Sequence, residues 1–361
     1  MKKRNGEIDL LRFIFCIFIF LYHFHDRYTG FVLCSFGYIG VAFFFIVSGV
    51  LMSQSIVNNN TLQNDNIGRQ TWDFILRKIR VFYKYYVFEI IIIGLVIYEI
   101  ILKHQTLSGV ISMLLKSIPT FFLVFLGLNW DNRALYVGGS WYLSAMIIAM
   151  LILYPFAVKY KNVFTKVVCP IIALFLLGYI ETSYGGLKSF GKWMGITRTG
   201  IIIAIAEIAL GAFLYWVASF IKRKYEDSNH KKVFSIAVFF IKWGAFLISF
   251  IYAMGVFDGF KDGFDIHVLL FISIGVTLSF SDVGIVIKEN KISNYLGQLS
   301  LPIYIFHIGI MNCILCIIPS ETVTKKYQLV LLILLILLVS VVLKHLVDNL
   351  FKALKWDKKR I

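Results

Sequence analysis

Arg12 and His23 both lie in the apolar stretch LRFIFCIFIFLYHF, eleven positions apart. At about 100° and 1.5 Å per residue, eleven helical steps return to within about 20° of the starting face, about 16 Å further along. Lipid penalises an ionisable side chain at its centre by a few kcal/mol, so such groups face a protein interior or a water-filled cavity. An imidazole has an ordinary pKa near 6.5, which suits it to exchange protons near neutral pH. A guanidinium on the same stripe would attract an anionic partner. Each residue alone also has a bland reading: Arg12 snorkels to the headgroups, and His23 bonds a carbonyl at the interface. Their shared face favours a common pathway.

Three further groups of residues have spacing suited to chemistry. Arg77 and Arg80, in RKIR, are neighbours on one helical face and suit paired, charge-assisted bonds to phosphate oxygens; the plain alternative is a basic flank. Ser300, Tyr304 and His307, in SLPIYIFHIGI, fall at i, i+4 and i+7 and form one polar face. That face either contacts a substrate or closes a structural hydrogen-bond network. Gly37, Gly40, Ser48 and Gly49 interrupt the aromatic run FGYIGVAFFFIVSGVL, and close helix packing accounts for them without any site. The CxxC pair Cys313 and Cys316 lies at the end of an apolar stretch without redox context, so packing is its expected role.

The elements that must position these residues are membrane spans. Hydrophobic residues make up 59% of the 361, and charged residues only 16%. An ordinary soluble protein carries about 25% charged residues. Apolar runs of spanning length recur at about 8–25, 36–57, 81–102, 109–128, 141–158, 163–180, 199–221, 233–256, 266–287, 296–318 and 327–349. A β-barrel would alternate in short segments instead. The first run follows Lys2, Lys3 and Arg4 as in a signal peptide. However, Asp9 and Arg12 interrupt it and no small-residue cleavage site follows, so it reads as a retained helix.

Loop charge tests how many runs cross. If 109–128, which contains Lys116 and Pro119, lies at the interface or re-enters, the cytoplasmic loops carry 22 Lys and Arg against 10 outside, as positive-inside bias requires. If it crosses, the balance inverts to 14 against 17. The expectation is an all-α polytopic protein of about ten spans, with 109–128 interfacial or re-entrant and both termini cytoplasmic. Residues 1–361 then form one transmembrane domain with no appended soluble domain. The net charge of +16 is explained by this loop bias, so no nucleic-acid partner is implied.

IDLLRFIFCIFIFLYH, GYIGVAFFFIVSGVL, RKIR, the Trp141–Tyr142–Leu143 segment and LSLPIYIFH occur in this order across nearly the whole chain. In these motifs it resembles the acyltransferase family 3 membrane proteins, which O-acylate sugars of bacterial surface glycans. The resemblance implies acyl-CoA, most often acetyl-CoA, as a cytoplasmic donor substrate, with no permanently bound cofactor and no metal. It implies an acceptor glycan outside the membrane or at the lipid-linked stage, in the cytoplasmic (inner) membrane. It also marks Arg12, His23, Arg77 and Arg80 as functional positions. Many relatives follow the tryptophan segment with carboxylates, but this chain has Met146 where one would fall, so that role is not carried over.

Joined to the residue chemistry, this gives His23 as general base, with Asp26 one turn away as a weaker candidate to orient it. Arg12 would draw the donor inward, and Arg77 and Arg80 would hold CoA phosphates. Ser300, Tyr304 and His307 belong to a substrate or structural network. The partners expected are acyl-CoA, glycan and membrane lipid, and a homo-oligomer is compatible with all of this. The rival from another class is a transporter or flippase of a lipid-linked glycan or acyl group, which intramembrane charges would serve equally well. No paired half-sequences of the kind common in transporters are visible. A scaffold role, with RKIR merely anchoring anionic lipid, is the third reading.

Overall fold

A computed structural model of the chain describes residues 5–28, 33–58, 66–113, 115, 140–256 and 264–354. Among these residues the fold is helical, with one isolated antiparallel bridge between Trp193 and Arg198. The main helices are α1 (Gly6–Arg27), α2 (Ile39–Val57), α3 (Ile67–Leu102), α4 (Ser140–Lys159), α5 (Lys161–Tyr184), α6 (Thr199–Glu226), α7 (Lys231–Met254), α8 (Phe264–Phe280), α9 (Lys291–Ile317) and α10 (Lys326–Ala353). Among the described residues, nine of them are long and apolar enough to cross a membrane, and α8 is a shorter apolar helix. The protein is therefore a polytopic helical membrane protein.

Local chemistry sets several helix ends. The Asn5 side chain accepts from the backbone N–H of Glu7 and Ile8 at the start of α1. Asn290 and Ser293 form a reciprocal capping box at the start of α9. Both satisfy donors that the first turn leaves without intrahelical partners. Helices α5 and α7 stop at Gly185 and Gly255, whose φ values are +77° and +68°. Both lie in the left-handed region that commonly ends helices, where glycine pays no steric penalty.

The helices form an inner and an outer set. In α2, α4, α6 and α9, 61–67% of the most apolar window is buried inside the protein, against 28% in α5, α7 and α10. The outer helices direct Leu174, Phe175, Phe240, Leu247, Leu331 and Leu338 outward, as a lipid-facing surface requires. Helices α2 and α6 pack most closely. A side chain at Gly49 would overlap the Ile208 carbonyl, and one at Gly211 would overlap that of Ile46. The small residues of the second aromatic run are thus spent on helix contact, as their plain reading expects.

One boundary differs from the hydropathy reading. The third helix begins at Ile67, fourteen residues before the apolar run, so RKIR lies within it rather than at its entrance. The reason is amphipathic: Phe74, Ile75, Phe82, Tyr85 and Tyr86 are buried on one face of a segment that is otherwise polar. The second part, Glu89–Leu102, winds with π-helical bonding. Residues 107–113 are helical. Most of the expected interfacial segment 109–128, with Lys116 and Pro119, lies outside the described residues.

Candidate active site

Helix α1 packs along α9, and this contact brings the two sequence-predicted histidines together. The rings of His23 and His307 lie 5.3 Å apart, centroid to centroid. The His307 Nδ1 donates to the Ile303 carbonyl at 3.0 Å, and the residue is fully buried. Tyr304, three residues earlier, stands 5.9 Å from the His307 ring and 5.4 Å from that of Tyr142 on α4. A file of four rings, Tyr142, Tyr304, His307 and His23, therefore runs between α4, α9 and α1.

The polar face of α9 splits in three dimensions. Tyr304 and His307 join the file, whereas the Ser300 hydroxyl turns back to the Gly297 carbonyl at 2.8 Å. The Ser300 carbonyl in turn receives the Cys16 thiol, tying α9 to α1. The Ser300 hydroxyl and carbonyl are thus both engaged in contacts within α9 and to α1. Asp26 is exposed, which is poor placement for orienting His23; the cation beside it is Arg27, which bonds the His23 carbonyl at 3.1 Å. Cys313 and Cys316 are free thiols, the first half-buried and the second exposed.

Beside His23 lies a narrow, partly open cavity of about 30 Å³. Its walls are aromatic, from Tyr22, Tyr38, Trp141, Phe190 and Tyr304, with His23 and Glu207 as the lining imidazole and carboxylate. Trp141 stacks on Phe190 at 4.6 Å and nearly parallel. Glycine at position 200 leaves room for the indole, because a Cβ there would meet its ring at 2.9 Å.

Arg12 occupies the other end of the α1 stripe. It forms an ion pair of 3.9 Å with Asp9, whose side chain is buried. The guanidinium lies within electrostatic reach of Lys78, of the Cys16 thiol and of the Tyr142 hydroxyl. Arg77 also acts on Lys78. The RKIR segment and Arg12, 65 positions apart in sequence, are thus drawn to one basic region. Arg77 is exposed and Arg80 half-buried, and neither has a carboxylate partner among the described residues.

Sequence reasoning missed Glu207. It is the single charged residue in the apolar stretch 199–221, the kind of isolated intramembrane carboxylate that marks function by default. Only 1% of it is exposed, and neither carboxyl oxygen has a hydrogen-bond partner among the described residues. It lies within electrostatic reach of Tyr142. Met146, by contrast, fills its place with sulfur, taking weak contacts from the Ser48 and Tyr142 hydroxyls at 3.6 and 3.8 Å. No group of three or more metal-ligating side chains occurs among the described residues.

The arrangement offers an imidazole at a narrow cavity, a line of hydroxyl-bearing rings, and a basic region at the far end of the same helix. A family model described as an acyltransferase domain, that of acyltransferase family 3, matches residues 5–345. No curated protein and no solved structure matches the chain.

Proposed function

The chain belongs to acyltransferase family 3, and from that premise we propose that it moves an acyl group, acetyl by family frequency, from cytoplasmic acyl-CoA to a sugar hydroxyl. The acceptor is a surface polysaccharide or its lipid-linked precursor, and the protein works in the cytoplasmic membrane with both termini inside. The single observation that carries the reading is the position of His23: on the wall of a narrow cavity, next to a second imidazole.

His23 takes the proton as the sugar oxygen attacks the thioester carbonyl carbon. The carbon–oxygen bond forms, the carbon–sulfur bond breaks, and the imidazolium returns its proton to the departing thiolate. The products are the ester and free CoA. Arg12, about 16 Å below His23 along α1, attracts the anionic donor toward the cavity. Arg77 and Arg80, without carboxylate partners among the described residues, hold CoA phosphates, for which the planar guanidinium fork is suited. The narrow aromatic walls limit the access of water, which would otherwise compete with the sugar for the acyl group.

Incubating the purified protein with labelled acetyl-CoA and crude surface glycan tests the proposal. Wild-type protein should label the glycan and His23→Ala should not. A transporter or scaffold would leave the glycan unlabelled with either protein, and that result would overturn the reading.

A further inference from the structure

A buried carboxylate with no partner is an anomaly that calls for a cause. Leaving even one polar atom unsatisfied in a protein interior is destabilising, and more so for a charged group. Glu207 has two such atoms, on an inner helix, at 1% exposure. Other buried acids keep at least one bonded oxygen: Glu7 bonds Lys242 and Ser279, and Asp265 bonds the Leu187 amide through Oδ2 although its Oδ1 has no hydrogen-bond partner among the described residues. Glu207 is also fixed in place. The adjacent Ile208 carbonyl lies so close to Gly49 of α2 that no side chain fits between them, so α6 has little freedom to turn its carboxylate elsewhere.

The setting of the two oxygens states what they wait for. Glu207 lines the cavity that His23 lines, together with Tyr22, Tyr38, Trp141, Phe190 and Tyr304. A paired acceptor within apolar, aromatic walls matches a molecule bearing neighbouring hydroxyl donors on a ring whose carbon-bound hydrogens form an apolar face. A sugar ring has that chemistry. A short acyl chain offers a carboxylate no donor, and a pantetheine arm offers amide N–H and hydroxyl donors without the apolar ring face that the aromatic walls suit.

We infer that Glu207 binds the acceptor ring, taking hydrogen bonds from hydroxyls adjacent to the one His23 deprotonates, while Trp141, backed by Phe190, forms the apolar wall beside it. The inference rests on the acyltransfer reading and deepens it: the carboxylate selects and orients the sugar, so that one hydroxyl meets the imidazole.

The test separates the two substrates and also separates function from folding. In the label-transfer assay, Glu207→Gln, which keeps size but turns one acceptor oxygen into a donor, raises the apparent KM for crude glycan tenfold or more. The apparent KM for acetyl-CoA moves less than twofold. Glu207→Leu shows the same selective loss yet unfolds at a higher temperature than wild type, because it removes an orphaned buried polar group. A carboxylate held for structural reasons would instead lower the unfolding temperature when replaced. Unchanged glycan KM, equal rises for both substrates, or loss of thermal stability in Glu207→Leu each overturns the acceptor role while leaving the acyltransfer reading intact. Failure of the wild-type protein to label any glycan overturns the acyltransfer reading itself, and the acceptor role with it.

Discussion

The imidazole of His307 lies 5.3 Å from that of His23, with its Nδ1 bonded to the Ile303 carbonyl at 3.0 Å. A carbonyl only accepts, so Nδ1 carries the proton and the Nε2 of the neutral ring keeps its lone pair. That nitrogen is buried and has no hydrogen-bond partner among the described residues. His307 is thus a fixed-tautomer neighbour of the proposed base, able to receive a hydrogen bond and hold His23 in register. His23→Ala is expected to lower kcat by about 10²-fold to 10⁴-fold, the usual contribution of a general base. His307→Ala should lower kcat several-fold with little change in either KM. His25 points about 200° away on α1, and His25→Ala should stay near wild type. A dispensable His23 beside an essential His25 would reverse the base assignment.

The donor prediction rests on Arg77 and Arg80. Alanine at either position should raise the apparent KM for acyl-CoA more than that for glycan, since phosphates are remote from the reacting carbonyl. Lysine should rescue only partly, because an ammonium keeps the charge but lacks the planar fork. A truncated thioester without the nucleotide should be indifferent to both substitutions. Equal sensitivity of the full and truncated donors would return RKIR to a topology anchor.

Much of this was legible in the sequence because it depends on local periodicity and hydropathy. The spans follow from apolar runs, and the shared stripe of Arg12 and His23 follows from helix geometry alone. What stayed hidden depends on contacts between distant segments. That Ser300 turns to its own backbone while His307 meets His23 is decided by how α9 lies against α1, which no spacing within α9 reveals. The early start of α3 was masked by its polar face, which lowers the mean hydropathy although Phe74, Phe82 and Tyr86 are buried. Glu207 did leave a signal, a lone carboxylate in an apolar span, but only its setting beside His23 gives that signal a chemical meaning.

Asp265 braces the cavity from behind. Its Oδ2 accepts the Leu187 amide at 2.6 Å and the Tyr38 hydroxyl at 3.4 Å, and both donors belong to residues that line the site. Gly186 reaches this position at φ +101°, where a Cβ would sit 2.7 Å from Asp265 Oδ1. Asp265→Ala strands a buried amide and should destabilise the fold by about 1–3 kcal/mol. It should also raise the glycan KM, because the wall formed by Leu187 and Tyr38 loosens. Gly186→Ala should reproduce both effects. Thermal unfolding together with the two KM values checks this, and an unchanged glycan KM in both variants would limit Asp265 to a structural role.

Orientation can be read with single cysteines and a membrane-impermeant thiol reagent applied to intact cells. Positions in 222–232 should be protected and positions in 257–265 labelled, because the first loop carries five Lys and Arg and the second only Lys261, and basic loops stay in the cytoplasm. The opposite pattern would mean that 109–128 crosses the membrane and that the loop-charge argument fails.

The start of α1 is anchored by an ion pair, and its removal has a distinctive signature. Glu7 and Lys242 are both fully buried and meet at 2.8 Å. The Ser279 hydroxyl donates to the other Glu7 oxygen at 2.5 Å, and Lys242 also reaches the Ile285 carbonyl at 3.2 Å. The pair therefore joins α1 to α7 and to the segment after α8. Taking two charges into an apolar interior costs about as much as their attraction returns, but leaving one behind alone costs about 3–5 kcal/mol. Lys242→Met should accordingly lower the unfolding midpoint strongly, and Glu7→Leu should do the same. The double variant, with no buried charge left over, should recover most of the loss. Because α1 carries both Arg12 and His23, the single variants should lose transfer activity in step with stability, and the double variant should regain it. Additive destabilisation in the double variant would show that the two side chains act independently and that α1 is held by other contacts.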